Sequence, residues 1–391
     1  MLGTNFSSWP CFNKQEIDAV GGVLMSNKVN YWTGRQCRDF ELEFAEFCKT
    51  KYAVSLANGT LALDLALKAL DIKVGDEVIV TSRTFIASIS AIINVGATPI
   101  FADVDLDSQN ITPISIRKKI TRKTKAVICV HLAGWPCEME KILEIANEFN
   151  FYVIEDCSQA HGATYKDKPV GSIGHIGCWS FCQDKIMTTG GEGGMVTTNY
   201  ESLWRKMWAY KDHGKSYEAV YEREHPEGYQ WLHESFGTNY RMTEMQAAIG
   251  RIQIKKMPYW NKKRLENANK IWDTAKKCQG LYAPEIPDYI CHAAYKCYVF
   301  IKVEQLKIDW NRDRIIDEIN LLGVPCRSGS CSEVYLEKAF QNTNFKPSER
   351  LLNAKQLGET SLMFLVHPTL TDNEISQTRE VLISIMKLAT R

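Results

Sequence analysis

Residues 52–70 read "YAVSLANGTLALDLALKAL", and this stretch contains the pattern that decides the fold. The run at 52–57 is short and apolar, as in a buried strand, whereas residues 59–70 are typical of a helix. The turn Asn58-Gly59-Thr60 separates the two segments. The stretch therefore predicts one unit in which a strand leads directly into a helix.

The same alternation recurs up to about residue 200. Helical patterns follow the apolar runs "DEVIVTS" (76–82), "TPIFADVD" (98–105) and "AVICVHLAG" (126–134), and further along the chain come "YVIEDCSQA" (152–160) and "GGMVTTN" (193–199). These runs lack a clean apolar–polar alternation, as expected of strands that are buried on both faces. The sequence therefore predicts an α/β protein with a mostly parallel sheet covered by helices.

The second half of the chain predicts a smaller unit. Residues 201–260 favour helices and are interrupted by a polar insert at 212–237, after which strand and helix patterns recur at 296–303, at 314–323 and from about Asp372. We predict a large domain over 1–260, which includes the N-terminal segment, and a small α+β domain over 261–391.

Composition excludes several function classes. The chain has 391 residues, 45% of them hydrophobic, and a net charge of +1, so no overall field attracts nucleic acid or an anionic membrane. The basic run at 117–125 leads into a strand pattern and is interpreted as a solvated helix end. No apolar run is long enough for a membrane span, and residues 1–16 lack signal-peptide features, which predicts a cytoplasmic protein.

The cysteines and histidines indicate no metal centre. The thirteen cysteines are scattered, and several lie in apolar strand patterns, which is typical of reduced, buried thiols in the cytosol. The sequence contains neither a CxxC nor an HExxH motif, so we expect no zinc site.

Chemically useful residues follow the predicted strands. The turn Asn58-Gly59-Thr60 follows the first strand, Arg83 and Phe85 follow the second, and Asp156 ends a later one. Lys185 follows "CWSFC" and precedes a glycine-rich turn. Because ligands in such sheets bind outside the carboxyl ends of the strands, we expect these residues to converge on one rim.

Each of these residues also has a structural interpretation. Thr60 is also a plain helix N-cap candidate, Asp156 another helix cap, Phe85 a core aromatic, Ser180 a satisfied turn residue, and Lys185 a solvated charge. As a group they offer a helix N-terminus for phosphate, an aromatic ring for stacking, an acid for a protonated ring nitrogen, and a lysine able to attack a carbonyl. Together they resemble a pyridoxal phosphate (PLP) site.

The whole chain resembles the DegT/DnrJ/EryC1/StrS family of sugar aminotransferases, which belongs to the fold type I (aspartate aminotransferase) superfamily. The segments that carry the resemblance are "ANGTLALDLAL", "GDEVIV…TFIAS…AIINVGATPIFADVD", "VIEDCSQAHGA", "GSIGHIGCWSF…K…GEGGMVTTN", "FGTNYRMTEMQAAIGRIQ" and "SLMFLVHPTL". The resemblance implies a PLP-transferase fold: a large α/β/α domain with a mostly parallel mixed sheet, followed by a smaller α+β domain.

The resemblance also implies roles around the cofactor ring. Lys185 is expected to form the Schiff base and to carry the proton between the substrate carbon and the cofactor. Asp156 is expected to keep the pyridine nitrogen protonated, Gln159 to bond the phenolic oxygen, and Phe85 to stack on the ring.

Further roles concern the phosphate and the partner subunit. Gly59, Thr60 and Ser180 are expected to hold the phosphate. Asn239 is expected to reach the phosphate of a neighbouring subunit, which implies at least a homodimer with shared active sites. Arg241 is a candidate for a substrate anion, and its structural alternative is a salt bridge.

The chain departs from the family pattern at three places. Gly190 and Gly191 both precede Glu192 where relatives have one glycine, although the spacing from Ser180 to Lys185 is kept. Arg83 stands in a turn where many members have proline, and it either contacts substrate or faces solvent. In the C-terminal unit, "GVPCRSGSCSEVYLEKAF" replaces a common His-Tyr pair, so the candidates for the sugar pocket are Cys331, Ser332 and Tyr335, with a packed interdomain loop as the alternative.

The implied activity is transfer of an amino group from L-glutamate to a nucleotide-linked keto sugar, with PLP alternating with its amine form, PMP. The narrow expectation is dTDP-4-keto-6-deoxy-D-glucose giving dTDP-4-amino-4,6-dideoxy-D-glucose for O-antigen or another surface glycan. Amination at C3 and a GDP- or UDP-linked sugar remain open. Lys185 argues against a sugar dehydratase of the same family. The lack of a GxGxxG motif after the first strand argues against a nucleotide-sugar oxidoreductase. The presence of both Lys185 and Asp156 argues against a non-catalytic scaffold.

Overall fold

The strands follow the apolar runs of the sequence. In the computed structural model, which describes residues 6–391, they are β1 Tyr52–Leu56, β2 Glu77–Thr81, β3 Thr98–Ala102, β4 Thr124–Val130, β5 Tyr152–Asp156, β6 Thr164–Tyr165, β7 Lys168–Pro169, β8 Ile176–Ser180, β9 Gly194–Thr198, β10 Leu281–Tyr282, β11 Ile290–Cys291, β12 Cys297–Ile301, β13 Cys326–Arg327 and β14 Ser361–Phe364.

The helices occupy the segments with helical periodicity, and several begin at a side-chain cap such as Asn13, Asn58, Thr243 or Thr371. They are α1 Lys14–Met25, α2 Gln36–Cys48, α3 Gly59–Ala69, α4 Ala87–Asn94, α5 Pro113–Arg117, α6 Met139–Phe149, α7 Glu201–Tyr210, α8 Tyr217–Tyr221, α9 Glu244–Ile254, α10 Met257–Ala275, α11 Arg312–Leu321, α12 Leu352–Thr360 and α13 Asp372–Ala389.

Seven strands form the large sheet, in the order β1-β9-β8-β5-β4-β2-β3. The pairs β2–β3, β2–β4, β4–β5 and β5–β8 are parallel, whereas β9 runs antiparallel to both β1 and β8. The sheet is therefore mixed and mostly parallel, which confirms the predicted fold class.

Both faces of this sheet are buried. In β2, Val78 and Val80 pack in one core cluster with α3 and α4, while Ile79 between them packs in another with α6. In β4, Ile128 packs in the first of these clusters and Val127 packs in the second. Successive side chains of a strand point to opposite faces, so burial of both faces explains why these strands are continuously apolar.

The small domain is built on a four-stranded sheet in the order β10-β12-β14-β13. Its core includes Ile271 of α10, Ile315 of α11 and Leu382 of α13, which pack against Val299 of β12. The packing of α10, α11 and α13 on one face of this antiparallel sheet gives the α+β unit expected for the C-terminal part.

The connection between the domains is a helix. Met257 and Trp260 at the start of α10 pack in the large domain, and Ile271 and Trp272 farther along pack in the small one, so the boundary predicted at residue 260 falls inside α10. The N-terminal segment, which we predicted as part of the large domain, contacts the small one: Phe6 packs against its core, and the Ser7 hydroxyl donates to Glu374 at 3.0 Å.

Residues 6–391 contain no helix that is both long and apolar enough to cross a membrane.

The thirteen cysteines are unpaired, and eight of them are buried. Burial raises the pKa of thiols such as Cys48 and Cys157, which keeps them protonated.

Candidate active site

Two cavities meet at the carboxyl edge of the large sheet. One of about 640 Å³ is lined by Gly59, Thr60, Asp156 and Ser180, among others. The second, of about 760 Å³, lies between this edge and the small domain. Both cavities are bordered by a shared group of residues, Thr84, Phe85, Gln159, Asp184 and Lys185. The convergence predicted from the strand ends is therefore present, and Lys185 lies where the two cavities join.

The N-terminus of α3 opens into the smaller cavity. Asn58 caps this helix by accepting from the backbone N–H of Leu61 at 3.0 Å, so the cap is Asn58 and the alternative of Thr60 as cap is wrong. Thr60 is exposed and lines the cavity. Gly59 lies so close to Ser180 that a Cβ on it would be 2.5 Å from the Ser180 Cβ. Backbone N–H groups and two hydroxyls thus face a space suited to a phosphate.

Asp156 lines the smaller cavity and is only 6% exposed. Its Oδ2 accepts from the Ser88 hydroxyl at 3.0 Å, and its Oδ1 accepts from the Ser158 N–H at 3.2 Å. A turn follows Asp156 in the chain, so the alternative of a helix cap is wrong. A carboxylate accepts about four hydrogen bonds, so capacity remains for a protonated ring nitrogen.

Lys185 has a side chain that is 19% exposed, which is inconsistent with a freely solvated charge. Its Nζ lies 3.5 Å from Asp184 Oδ1 and 5.3 Å from the ring centroid of Tyr295. Its main chain is fixed on both sides: the Lys185 N–H donates to the Cys182 carbonyl, and the Trp9 indole N–H donates to the Lys185 carbonyl at 2.8 Å. The main chain is therefore fixed at the point from which the Lys185 side chain enters the two cavities.

Phe85 and Gln159 border both cavities. The Phe85 ring is 69% exposed although it lies at the end of a buried strand, so it is not a core aromatic. Gln159 accepts from the Ala133 N–H at 2.9 Å through its Oε1, which fixes the orientation of the amide. An exposed ring and an oriented amide beside the lysine suit a flat, polar cofactor.

The glycine-rich turn after Lys185 uses backbone conformations that favour glycine. Gly190 has φ of 91° and Gly191 has φ of 132°, and a Cβ on Gly191 would meet no atom within 4 Å. Glycine is therefore favoured at position 191 by the backbone conformation and not by a lack of space for a side chain. The additional glycine lengthens this turn without altering the segment from Ser180 to Lys185.

Arg83 is fully buried, which contradicts the alternative that it faces solvent. Its guanidinium donates to Gln109 Oε1 and to Ser361 Oγ, both at 3.0 Å, and its carbon lies 5.3 Å from the Tyr298 ring centroid. Burial lowers its pKa. The guanidinium thus lies behind the cavity wall and ties the strand-end turn to the small domain.

The other substrate candidates divide by position. Cys331 is exposed and lines the larger cavity. Ser332 and Tyr335 face the protein instead, since the Ser332 hydroxyl donates to the Ala354 carbonyl and the Tyr335 hydroxyl donates to Glu333 at 2.5 Å. Their contacts match the alternative of a packed interdomain loop.

Asn239 and Arg241 lie beside the end of β1. The Ala57 N–H donates to the carbonyl of Tyr240, and Arg241 forms an ion pair with the buried Asp212. The Arg241 pair matches the salt-bridge alternative. Asn239 is exposed and borders neither of the two cavities of its own chain.

Apart from Cys331, the sequence patterns did not identify the residues that the small domain contributes to the larger cavity. Tyr295, Lys296 and Arg327 line the larger cavity, and the Tyr295 hydroxyl donates to Asp184 beside Lys185. Burial and nearby cations lower the pKa of Lys296 to about 8. One feature of the sequence could have identified Lys296: it directly precedes the apolar run that forms β12, and a charged residue is unusual at such a position. Ser88, the partner of Asp156, gave no signal because it lies in an ordinary apolar helix.

His131, Glu155 and Cys157 form a buried group with residue types that bind metals. Glu155 already accepts from the N–H groups of Gly171 at 2.9 Å and Ile173 at 2.9 Å, and it lies 3.0 Å from His131. These contacts satisfy the carboxylate and brace the turn before β8.

The fold and the site together define a PLP-dependent aminotransferase of fold type I, because the smaller cavity at the carboxyl edge of the sheet is lined by the N-terminus of α3, by the buried acid Asp156 and by Lys185. The sequence profile described as the DegT/DnrJ/EryC1/StrS aminotransferase family matches residues 10–382, and the chain belongs to this family.

The comparisons with individual proteins agree with this assignment. The X-ray structure of the aminotransferase from Psychrobacter cryohalolentis is 64% identical, with a TM-score of 0.97 over 98% of this chain and 99% of that one. A dTDP-3-amino-3,6-dideoxy-alpha-D-galactopyranose transaminase from Aneurinibacillus thermoaerophilus is 39% identical over 74% of this chain and 76% of its own. GDP-perosamine synthase from Escherichia coli O157:H7 is 45% identical over 61% of each chain. Neighbours with the same fold include PLP and PMP forms.

Proposed function

We propose that the protein transfers the amino group of L-glutamate to dTDP-4-keto-6-deoxy-D-glucose, giving dTDP-4-amino-4,6-dideoxy-D-glucose for O-antigen or another surface polysaccharide. The general activity, nucleotide-sugar transamination, is that of the family. The observation that carries the proposal is the position of Lys185 at the junction of two cavities, one suited to the cofactor and one of about 760 Å³ that can admit a hexose joined to a nucleotide.

The residues of the smaller cavity fit the cofactor. PLP supplies the electron sink that makes the carbon–hydrogen bond of an amino acid acidic. Gly59, Thr60 and Ser180 would hold its phosphate, and Asp156, aligned by Ser88, would keep its ring nitrogen protonated. An acid at that position would stabilise a positively charged ring, because Asp156 is buried and its charge is only weakly screened by water.

Lys185 would move the proton in both halves of the reaction. As a free amine it would accept a proton from the α-carbon of glutamate, whose nitrogen would be left with the cofactor when 2-oxoglutarate departs. In the second half it would deliver a proton to the carbon that carried the ketone, as the nitrogen passes from the cofactor to the sugar. Asp184, 3.5 Å from Nζ, would hold the ammonium form between these steps.

We propose that the active unit is a homodimer. Asn239 is exposed beside the end of β1 and borders neither of the two cavities of its own chain, so its amide is available to a second subunit. Arg241 would keep that segment in place through its ion pair with Asp212.

Two relatives give a specific reason to keep alternative substrates. Similarity to the GDP-perosamine synthase supports a GDP-linked sugar as the alternative substrate. Similarity to the dTDP-3-amino-sugar transaminase supports amination at C3. A further relative is named for a UDP-linked 3-keto sugar. The substrates therefore need to be compared directly in one assay.

The test begins with the absorbance of the purified protein. We expect a band near ~410–430 nm that moves to ~330 nm when L-glutamate is added, and Lys185→Ala should lack the first band. The glutamate-treated enzyme is then offered dTDP-, GDP- and UDP-linked 4-keto and 3-keto sugars, and NMR of the product locates the new amine. A protein that cannot be loaded with PLP would refute the activity, and a preference for another nucleotide or for C3 would refute the narrow substrate.

A further inference from the structure

One wall of the larger cavity is a face of the small-domain sheet. Tyr298 of β12 pairs with Met363 of β14, which pairs with Arg327 of β13, so these three residues form a row across the strands. Lys296 precedes Tyr298 by two residues and therefore lies on the same face. All four side chains line the cavity. The wall opposite the cofactor cavity thus carries two cations.

Neither cation has an acidic partner within 4.0 Å among residues 6–391. Lys296 is half-buried, and its Nζ lies 4.6 Å from the ring centroid of Tyr295. The nearest acid, Asp184, accepts from the Tyr295 hydroxyl and also contacts Lys185. Arg327 is exposed and lines the same cavity.

A desolvated cation without a partner is costly, and a bound anion removes that cost. Burial lowers the pKa of Lys296 to about 8, helped by Arg264, Lys185 and Arg327 and opposed by Asp184. Arg83, buried behind Tyr298, adds positive charge to this wall. The wall is therefore electrostatically prepared for a ligand with negative charge.

We propose that Lys296 and Arg327 form an anion subsite in the larger cavity that binds the negatively charged group of the reactant. The inference rests on the proposed function, because a transaminase of this kind admits two anionic reactants in turn. The shared chemistry is a group of anionic oxygens, supplied either by the carboxylates of L-glutamate or by the diphosphate of the sugar nucleotide. Arg327 suits two-point contact with such oxygens, and Lys296 acts as a compact charge.

The experiment uses the PLP-loaded enzyme with Lys296→Gln, Arg327→Gln, and Lys302→Gln as the matched control. Lys302 is exposed and lies one residue beyond β12, so the same substitution there leaves the cavity intact. Calorimetry measures binding of two unreactive probes, glutarate for the carboxylates and dTDP for the diphosphate. The absorbance titration with L-glutamate measures the first half-reaction independently.

We expect each cavity variant to weaken at least one probe by about tenfold or more, since hydrogen bonds to charged groups contribute about 1.5–3 kcal/mol. Lys296→Arg should retain most of the affinity, and Lys302→Gln should match the wild type. Weaker glutarate binding alone assigns the subsite to the donor, weaker dTDP binding alone assigns it to the acceptor, and loss of both shows shared use.

Unchanged affinity for both probes in Lys296→Gln and Arg327→Gln would overturn the subsite. Arg327 is exposed, so its variant is expected to fold even if Lys296→Gln does not. If the wild type shows no absorbance change with L-glutamate while Lys296→Gln or Arg327→Gln still weakens dTDP binding, the proposed transamination is refuted and the subsite is supported. The two failures are therefore distinguishable.

Discussion

Gly59→Ala places a single methyl group at the contact between α3 and β8. The new Cβ would lie 2.5 Å from Ser180 Cβ, 2.9 Å from its Oγ and 3.0 Å from its Cα. Ser180 ends β8, which is paired with β5 on one side and β9 on the other, so its backbone cannot withdraw. The helix N-terminus and the Ser180 hydroxyl must therefore separate.

The magnitude follows from the cost of overpacking, which is about 1–3 kcal/mol for an added methyl group in a closely packed site. The strain falls on the groups that we propose to hold the phosphate, Gly59, Thr60 and Ser180, which all line the smaller cavity. If the bound state bears this strain, PLP affinity falls by about fivefold to about a hundredfold, at about 1.4 kcal/mol per factor of ten.

The assay is titration of the cofactor-free protein with PLP, followed by the band near ~410–430 nm, together with thermal unfolding. The matched control is Gly21→Ala in α1, where a Cβ meets no atom within 4 Å. That variant should raise the free energy of unfolding by about 0.5–1 kcal/mol, because alanine favours a helix over glycine, and it should leave PLP affinity unchanged.

Retention of wild-type PLP affinity by Gly59→Ala, within about twofold, would refute the reasoning. So would an equal loss of affinity in Gly21→Ala, because the effect would then not arise at the phosphate end of the cavity.

Two further predictions concern stability. Burial lowers the pKa of His161, His292 and His367 from 6.5 to about 3, so the folded state keeps them neutral while the unfolded chain takes up protons below pH 6.5. The free energy of unfolding should therefore fall as pH drops from about 6.5 towards 3, by about 1 kcal/mol per histidine at about pH 5.5; urea titrations at both ends of this range measure it, and a flat profile would contradict it. Lys211 is fully buried, and its Nζ lies 3.1 Å from Glu41. Lys211→Met should lower the free energy of unfolding by about 3–5 kcal/mol, because it leaves a buried carboxylate without its cation. Urea unfolding measures this loss, and an unchanged midpoint would show that the pair is dispensable.

Much of the fold was predictable because the relevant interactions are local or periodic. The apolar run at 52–57 forms β1, and the helical pattern after it forms α3, which begins one residue after Asn58. The direction of β9 was not predictable, because an isolated apolar run does not show whether its neighbours are parallel. The contact of the N-terminal segment with the small domain was not predictable for a similar reason, because Ser7 and Glu374 are far apart in the chain.

The sequence by itself determined the half of the site that lies at strand ends. Asp156, Ser180 and Lys185 were predictable because parallel strands end at one edge of a sheet, so local patterns imply their convergence. Only the tertiary structure decided the opposite wall, since Lys296 and Arg327 meet through pairing of strands that are distant in the chain. It also decided the burial of Arg83, because a charged residue is expected at the surface unless packing supplies hydrogen-bond partners, and one of its partners, Ser361, comes from the small domain.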